Sequence, residues 1–81
     1  MKGDYVAAFY NRALANVDKR DYDRALSDFE VVLKFNPKSA LALYARGWVL
    51  LKKGDTEAGN ADMAAAKAIT PDIAEQFDAS N

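Results

Sequence analysis

Apolar side chains recur every three to four residues along most of the chain, which is the spacing of one face of an α-helix. Polar breaks divide this pattern into four segments, which we predict to be helices at about 5–18, 22–35, 40–52 and 56–69. β-branched residues are sparse outside Val31 and Val32, so strands are not expected. The pattern therefore predicts an all-α fold of antiparallel helix-turn-helix hairpins.

The breaks between the segments carry residues that end helices. Pro37 and Pro71 follow the second and fourth segments, and proline cannot continue a helix. Gly54 follows the third segment and suits a left-handed C-cap. Arg20 stands at the equivalent place after the first segment. If Arg20 adopts the backbone angles of Gly54, we expect a cost of about 1 kcal/mol.

The chain resembles itself when it is shifted by 34 residues. The two prolines coincide, large residues fall on large ones, and small residues fall on small ones. Such self-similarity indicates a structural repeat of one hairpin per unit. The aligned pairs include Phe9 with Leu43, Tyr10 with Tyr44, Arg12 with Arg46, Ala13 with Gly47, Ala25 with Gly59 and Phe29 with Met63.

These features resemble the tetratricopeptide repeat, which has a 34-residue period and a fixed pattern of aromatic, small and proline residues. The resemblance covers about residues 6–71. It implies a short right-handed α-solenoid of stacked hairpins that acts as a scaffold for protein binding. The residues that carry it are Phe9, Ala13, Tyr22, Ala25, Phe29 and Pro37 in the first unit, and Leu43, Gly47, Gly54, Gly59, Met63, Ala66 and Pro71 in the second.

The resemblance also divides the chain, which we treat as one domain, into two repeats and a C-terminal piece. Leu26 and Leu33 of the first unit correspond to Asn60 and Lys67 of the second. This polar replacement favours a terminal cap after the second unit, although the start of a third helix pair remains the alternative. The expected bounds are about 6–39 for repeat one, 40–73 for repeat two and 74–81 for the cap or third helix pair.

Composition and charge narrow the expected function. Eleven basic and twelve acidic residues give a net charge of −1, so we expect neither nucleic acid nor a membrane as partner. Histidine and cysteine are absent, which removes the commonest general base, metal ligand and thiol nucleophile. We therefore expect no enzyme, no cofactor and no metal site. With no apolar run long enough to span a bilayer and no signal-peptide pattern, we expect a cytoplasmic protein.

The third predicted helix is apolar on nearly all sides, so more than its hairpin face should be covered. If the face with Gly47 packs on the fourth helix, another face remains, and residues of the first helix continue it. In relatives of this family the corresponding face lines a concave groove that holds peptides. The predicted partner-binding residues on this surface are Tyr10, Asn11, Leu14, Leu41, Tyr44, Trp48 and Leu51.

Two interpretations of this surface remain open. It binds a protein or peptide partner, or it is covered within the chain by the segment around Tyr5 or by the C-terminal turn. A second hypothesis for function is self-assembly into a homodimer or higher oligomer through the same groove. We expect that Trp48 is not fully buried by its own chain and that it meets a partner. Asn11 alone matches the positions with which relatives clamp a carboxylate, so a carboxylate-clamp co-chaperone is not predicted.

Overall fold

A computed structural model describes the backbone of residues 2–79 and the side chains of residues 5–77. Within these residues all regular secondary structure is helical, which confirms the predicted all-α hairpin fold. The four predicted helices are present, and the first begins three residues earlier than expected. The helices are α1 (Lys2–Asp18), α2 (Tyr22–Phe35), α3 (Ala40–Lys52), α4 (Thr56–Ile69) and α5 (Ile73–Ala79).

Capping side chains fix where three of the helices begin. Asp21 and Asp55, 34 residues apart, each accept a hydrogen bond of 3.4 Å from a backbone N–H three residues later. Those donors are the N–H groups of Arg24 and Ala58. Ser39 caps α3 in the same way. Each cap satisfies a donor that the first turn of a helix would otherwise leave unpaired.

The turns that precede the two aspartate caps share a left-handed backbone conformation. Gly54 has φ of 92° and Arg20 has φ of 61°, so the expected equivalence of the two positions is confirmed. Glycine adopts this conformation without steric cost, whereas the Cβ atom of an arginine crowds the following carbonyl. The first hairpin therefore carries local strain that the second avoids.

We expect Arg20→Gly to raise the free energy of unfolding by about 1 kcal/mol because it removes this strain. For a domain of this size, the gain corresponds to a rise in Tm of about 4–8 °C in a calorimetric scan. The matched variant is Gly54→Arg, which should lower Tm by a similar amount. An unchanged Tm in both variants would show that the left-handed turn imposes no strain.

Small residues set the distance between the two helices of each hairpin. Ala13 and Ala25 are fully buried where α1 meets α2. Gly47 and Gly59 replace them where α3 meets α4. A Cβ atom built on Gly47 would lie 2.7 Å from the carbonyl oxygen of Gly59, and one built on Gly59 would lie 2.8 Å from that of Gly47. The second hairpin therefore brings its backbones closer than alanine would permit.

One ion pair occurs at the same place in both hairpins. Arg12 donates to both carboxylate oxygens of Asp28, at 2.9 and 2.7 Å, and Asn16 adds a third hydrogen bond at 3.1 Å. Arg46 donates in the same way to Asp62, at 2.7 and 3.0 Å. In each hairpin the arginine lies on the first helix and the aspartate on the second. A charged, two-pronged bond of this kind fixes the register between the helices.

The two hairpins join through α2 and α3, and α5 packs on α3 and α4. At one end of the α2–α3 interface, Lys53 forms an ion pair with Asp23. Ile73 and Phe77 of α5 are buried against the second hairpin. Of the short turn or helix expected after Pro71, the structure has a helix, and its packing suits either a cap or the first helix of a third pair.

Candidate protein-binding site

A cleft opens between the N-terminal half of α1, the end of α2 and the start of α3. Its volume is about 630 Å³, which is within the range of small-ligand pockets and large enough for several side chains of a partner. Its walls come from the three helices and from the loop that joins α2 to α3. The lining residues are Val6, Ala7, Tyr10, Val32, Phe35, Asn36, Ser39 and Leu41.

The cleft has an apolar floor and an aromatic rim. Val32 is buried at its base, and the ring of Tyr10 packs edge-on against Phe29 with ring centroids 6.0 Å apart. Burial raises the pKa of the Tyr10 hydroxyl above its ordinary value. Phe35 stands on the rim with 58% of its surface exposed. The cleft thus offers apolar surface together with the polar side chains of Tyr10, Asn36 and Ser39.

The structure brings only part of the predicted binding surface into this cleft. Tyr10 and Leu41 line it together. Asn11 lies exposed on α1, and Leu14 is half-buried against the core. Tyr44 packs against Phe77 of α5, with ring centroids 5.3 Å apart. The C-terminal helix thus covers part of Tyr44 within the chain, and contact of Tyr44 with a partner stays a prediction.

Leu51, which was also predicted to face the groove, is half-buried and contacts α4, and its contact with a partner stays a prediction. Its Cγ atom lies 2.8 Å from the position that a Cβ atom on Gly59 would occupy, so Leu51 packs on α4 within its own hairpin. Residues four apart share a face of a helix, and Leu51 follows Gly47 by four residues. Because Gly47 faces α4, Leu51 does as well.

Trp48 is half-buried, which agrees with the expectation that its own chain does not bury it fully. Its cover is different from the expected one. Tyr22 packs edge-on against its ring at 6.5 Å, and the ammonium group of Lys52 lies 5.0 Å from the ring centre. The inference that only the two ends of the chain could cover Trp48 was wrong, because α2 runs antiparallel to α3 and places its first residue there. Contact of Trp48 with a partner stays a prediction.

Sequence reasoning missed the α2 side of the cleft, where Val32 and Phe35 lie. A usable signal was present at Phe35, the last residue of α2 before the Asn36-Pro37 break. A large aromatic residue at the end of a helix, beside a loop, has few neighbouring helices to pack against and is therefore expected to be exposed. Its 34-residue counterpart, Ile69, also ends its helix and is 45% exposed.

The described residues offer no metal-binding cluster, since among residues 5–77 no three acidic side chains converge. Their ionic contacts pair aspartates with arginine or lysine. Across the described helices, none combines the length and the apolar character needed to cross a bilayer.

Comparison with known proteins agrees with this architecture. Residues 29–59 match the family model of the tetratricopeptide repeat, a segment that begins in α2, includes α3 and ends in α4. Over 49 residues the chain is 41% identical to the tetratricopeptide repeat and J domain-containing co-chaperone DNJ1 of Cryptococcus neoformans var. grubii serotype A. That alignment covers 60% of this chain and 9% of the relative. With the 34-residue period and the two helix hairpins, these matches support assignment of the chain to the tetratricopeptide repeat family, although the chain spans only a small part of the relative's length.

Proposed function

We propose that the chain is a non-enzymatic scaffold that binds a protein or peptide partner through the cleft between α1, α2 and α3. Tetratricopeptide repeats generally mediate contacts between proteins. The observation that carries the proposal is the apolar cleft of about 630 Å³ with the exposed ring of Phe35 on its rim. An exposed apolar surface of this kind usually marks an interface.

The cleft suits a segment that inserts one or two apolar side chains. Tyr10, Phe35 and Leu41 surround the opening, and aromatic side chains in such positions contribute a large share of binding energy at interfaces. The partner gains about 25 cal/mol for each Å² of apolar surface removed from water.

Several finer predictions belong to the same proposal. We predict that the binding surface extends beyond the cleft and includes Asn11, Leu14, Tyr44 and Trp48. The division into repeats at about 6–39 and 40–73 and the cytoplasmic location stay predictions as well.

A pair of equivalent exposed residues tests the cleft. Phe35 and Ile69 each end the second helix of their hairpin and are largely exposed, so Phe35→Glu and Ile69→Glu should both fold. We expect Phe35→Glu to weaken capture of partner proteins by at least about tenfold, the equivalent of 1.4 kcal/mol, because it places a charge in the apolar opening. Quantitative affinity capture with immobilised protein measures the effect. Equal losses in both variants, or none in either, would contradict the cleft as the site.

Self-assembly through the same cleft is the second prediction, and the exposed ring of Phe35 is the feature that favours it. Light scattering at micromolar concentration separates the two functions. A homodimer that Phe35→Glu converts to a monomer would assign the cleft to a second copy. A monomer at all concentrations would eliminate self-assembly and leave a foreign partner.

A further inference from the structure

The outer face of α1 repeats a surface that another helix covers in the second hairpin. On α3 that surface includes Ala42, Arg46 and Val49, and Ala42 and Val49 are fully buried. Their counterparts 34 residues earlier are exposed to solvent. The same positions in the repeat therefore differ in whether a helix lies over them. The exposed counterparts are Ala8, Arg12 and Ala15.

The covering helix on α3 is α2, and it brings a charge as well as apolar surface. Glu30 of α2 adds to the effect of Asp62 in raising the pKa of Arg46. The side chain of Arg46 is 27% exposed, whereas that of Arg12 is 63% exposed. Among the described residues, only Asp28 of its own hairpin acts to raise the pKa of Arg12. The side of Arg12 that corresponds to the Glu30 side of Arg46 therefore faces solvent.

Apolar surface surrounds the exposed arginine. Tyr5 is 67% exposed, and the guanidinium of Arg12 lies 5.0 Å from the centre of the Phe9 ring. Tyr5, Ala8, Phe9 and Arg12 line a shallow cavity of about 240 Å³. Of the residues that line this cavity, only Arg12 takes part in the ion pair that joins α1 to α2.

We propose that the outer face of α1 docks an amphipathic helix of a partner protein, and that this helix carries an acidic residue opposite Arg12. The chemistry of the helix follows from α2, which occupies the equivalent place on α3. Glu30 of α2 stands between Leu26 and Leu33, one helical turn away on either side. The partner helix thus has an acidic residue flanked at these spacings by large apolar residues.

A second copy of this chain does not supply that helix. The repeat equivalent of α2 is α4, and the positions of Leu26, Glu30 and Leu33 are there taken by Asn60, Ala64 and Lys67. Such a face has no acidic residue for Arg12, and Lys67 would repel it. In addition, α5 already packs on the α3–α4 hairpin. These features argue against a second copy and leave the proposed occupant, an acidic amphipathic helix of a partner protein.

A helix-stapled, fluorescent peptide with the sequence of α2 tests the proposal on the full chain. In the peptide, Phe29→Gln and Val32→Gln remove the face with which α2 packs inside its own hairpin. We expect saturable binding by fluorescence anisotropy. Glu30→Lys in the peptide should weaken it by about tenfold or more, because two cations then meet at Arg12.

Variants of the protein locate the bound peptide. Ala8→Arg should weaken binding by about tenfold, and Tyr5→Ala, which adds no charge or bulk, by several-fold. Ala65→Arg, at another exposed helical alanine on α4, and Phe35→Glu in the cleft should leave binding unchanged. Absence of saturation at peptide concentrations of about 1 mM, or equal binding to the Ala8→Arg and Tyr5→Ala variants, would overturn the proposal. Equal affinity for the Glu30→Lys peptide would overturn the acidic specificity.

Discussion

Replacing Gly47 with alanine is expected to lower the free energy of unfolding by about 3 kcal/mol, although alanine is the better helix former. The new Cβ atom would lie 2.7 Å from the carbonyl oxygen of Gly59 and 2.9 Å from the Cγ atom of Met63. The methionine side chain can rotate away, but the carbonyl belongs to the backbone of α4. The two helices must therefore separate, and this cost exceeds the gain in helix propensity of about 1 kcal/mol.

Urea unfolding followed by circular dichroism measures this loss, which is a large part of the roughly 4–12 kcal/mol expected for 81 residues. Asn60→Ala is the matched control, because it introduces alanine into the other helix of the same hairpin, α4, at an exposed position. Its stability should change by no more than about 0.5 kcal/mol. Unchanged or increased stability of Gly47→Ala would show that the hairpin does not depend on this close approach.

Removing Arg46 is expected to cost about 2 kcal/mol, because the carboxylate of Asp62 loses both of its hydrogen bonds while largely excluded from water. This loss of stability should exceed the loss from removing an exposed ion pair, which contributes at most about 1 kcal/mol. Urea unfolding of Arg46→Ala measures it. Arg46→Lys retains the charge but not the two-pronged geometry, so it should lie between the wild type and Arg46→Ala.

The double variant Arg46→Ala with Asp62→Ala separates the charge effect from lost packing. With both partners gone no charge is left unpaired, so the double variant should be more stable than Arg46→Ala alone. If the double variant is less stable than either single variant, the pair itself supplies net stability and the unpaired carboxylate is not the cause of the loss.

Much of the fold follows from local features of the sequence. The helices start at Asp21, Ser39 and Asp55 because these side chains cap them, and such signals need no knowledge of distant residues. The 34-residue period also predicted that Arg20 and Gly54 share a backbone conformation, because equivalent positions in a repeat have equivalent neighbours.

The candidate site was less predictable because it depends on contacts between helices. A helical wheel gives the directions of the side chains around one helix, but it does not give the positions of α2 and α5 relative to α3. Tyr22 of α2 contacts Trp48, and Phe77 of α5 contacts Tyr44. The helical wheel of α3 contains no information about either contact. For the same reason Phe35, on the second helix of the hairpin, was not included in the predicted surface although it lies on the rim of the cleft.

Site-specific photo-crosslinking tests the central claim, that the cleft binds another protein, most directly. Phe35 on the cleft rim and Ile69 at the equivalent position of the second hairpin are each replaced by the photoreactive residue benzoylphenylalanine in the full chain inside cells. The proposed function predicts a defined protein adduct from position 35, lost when Leu41→Glu is added, and no such adduct from position 69. Identical adducts from both positions, or none from position 35, would contradict it.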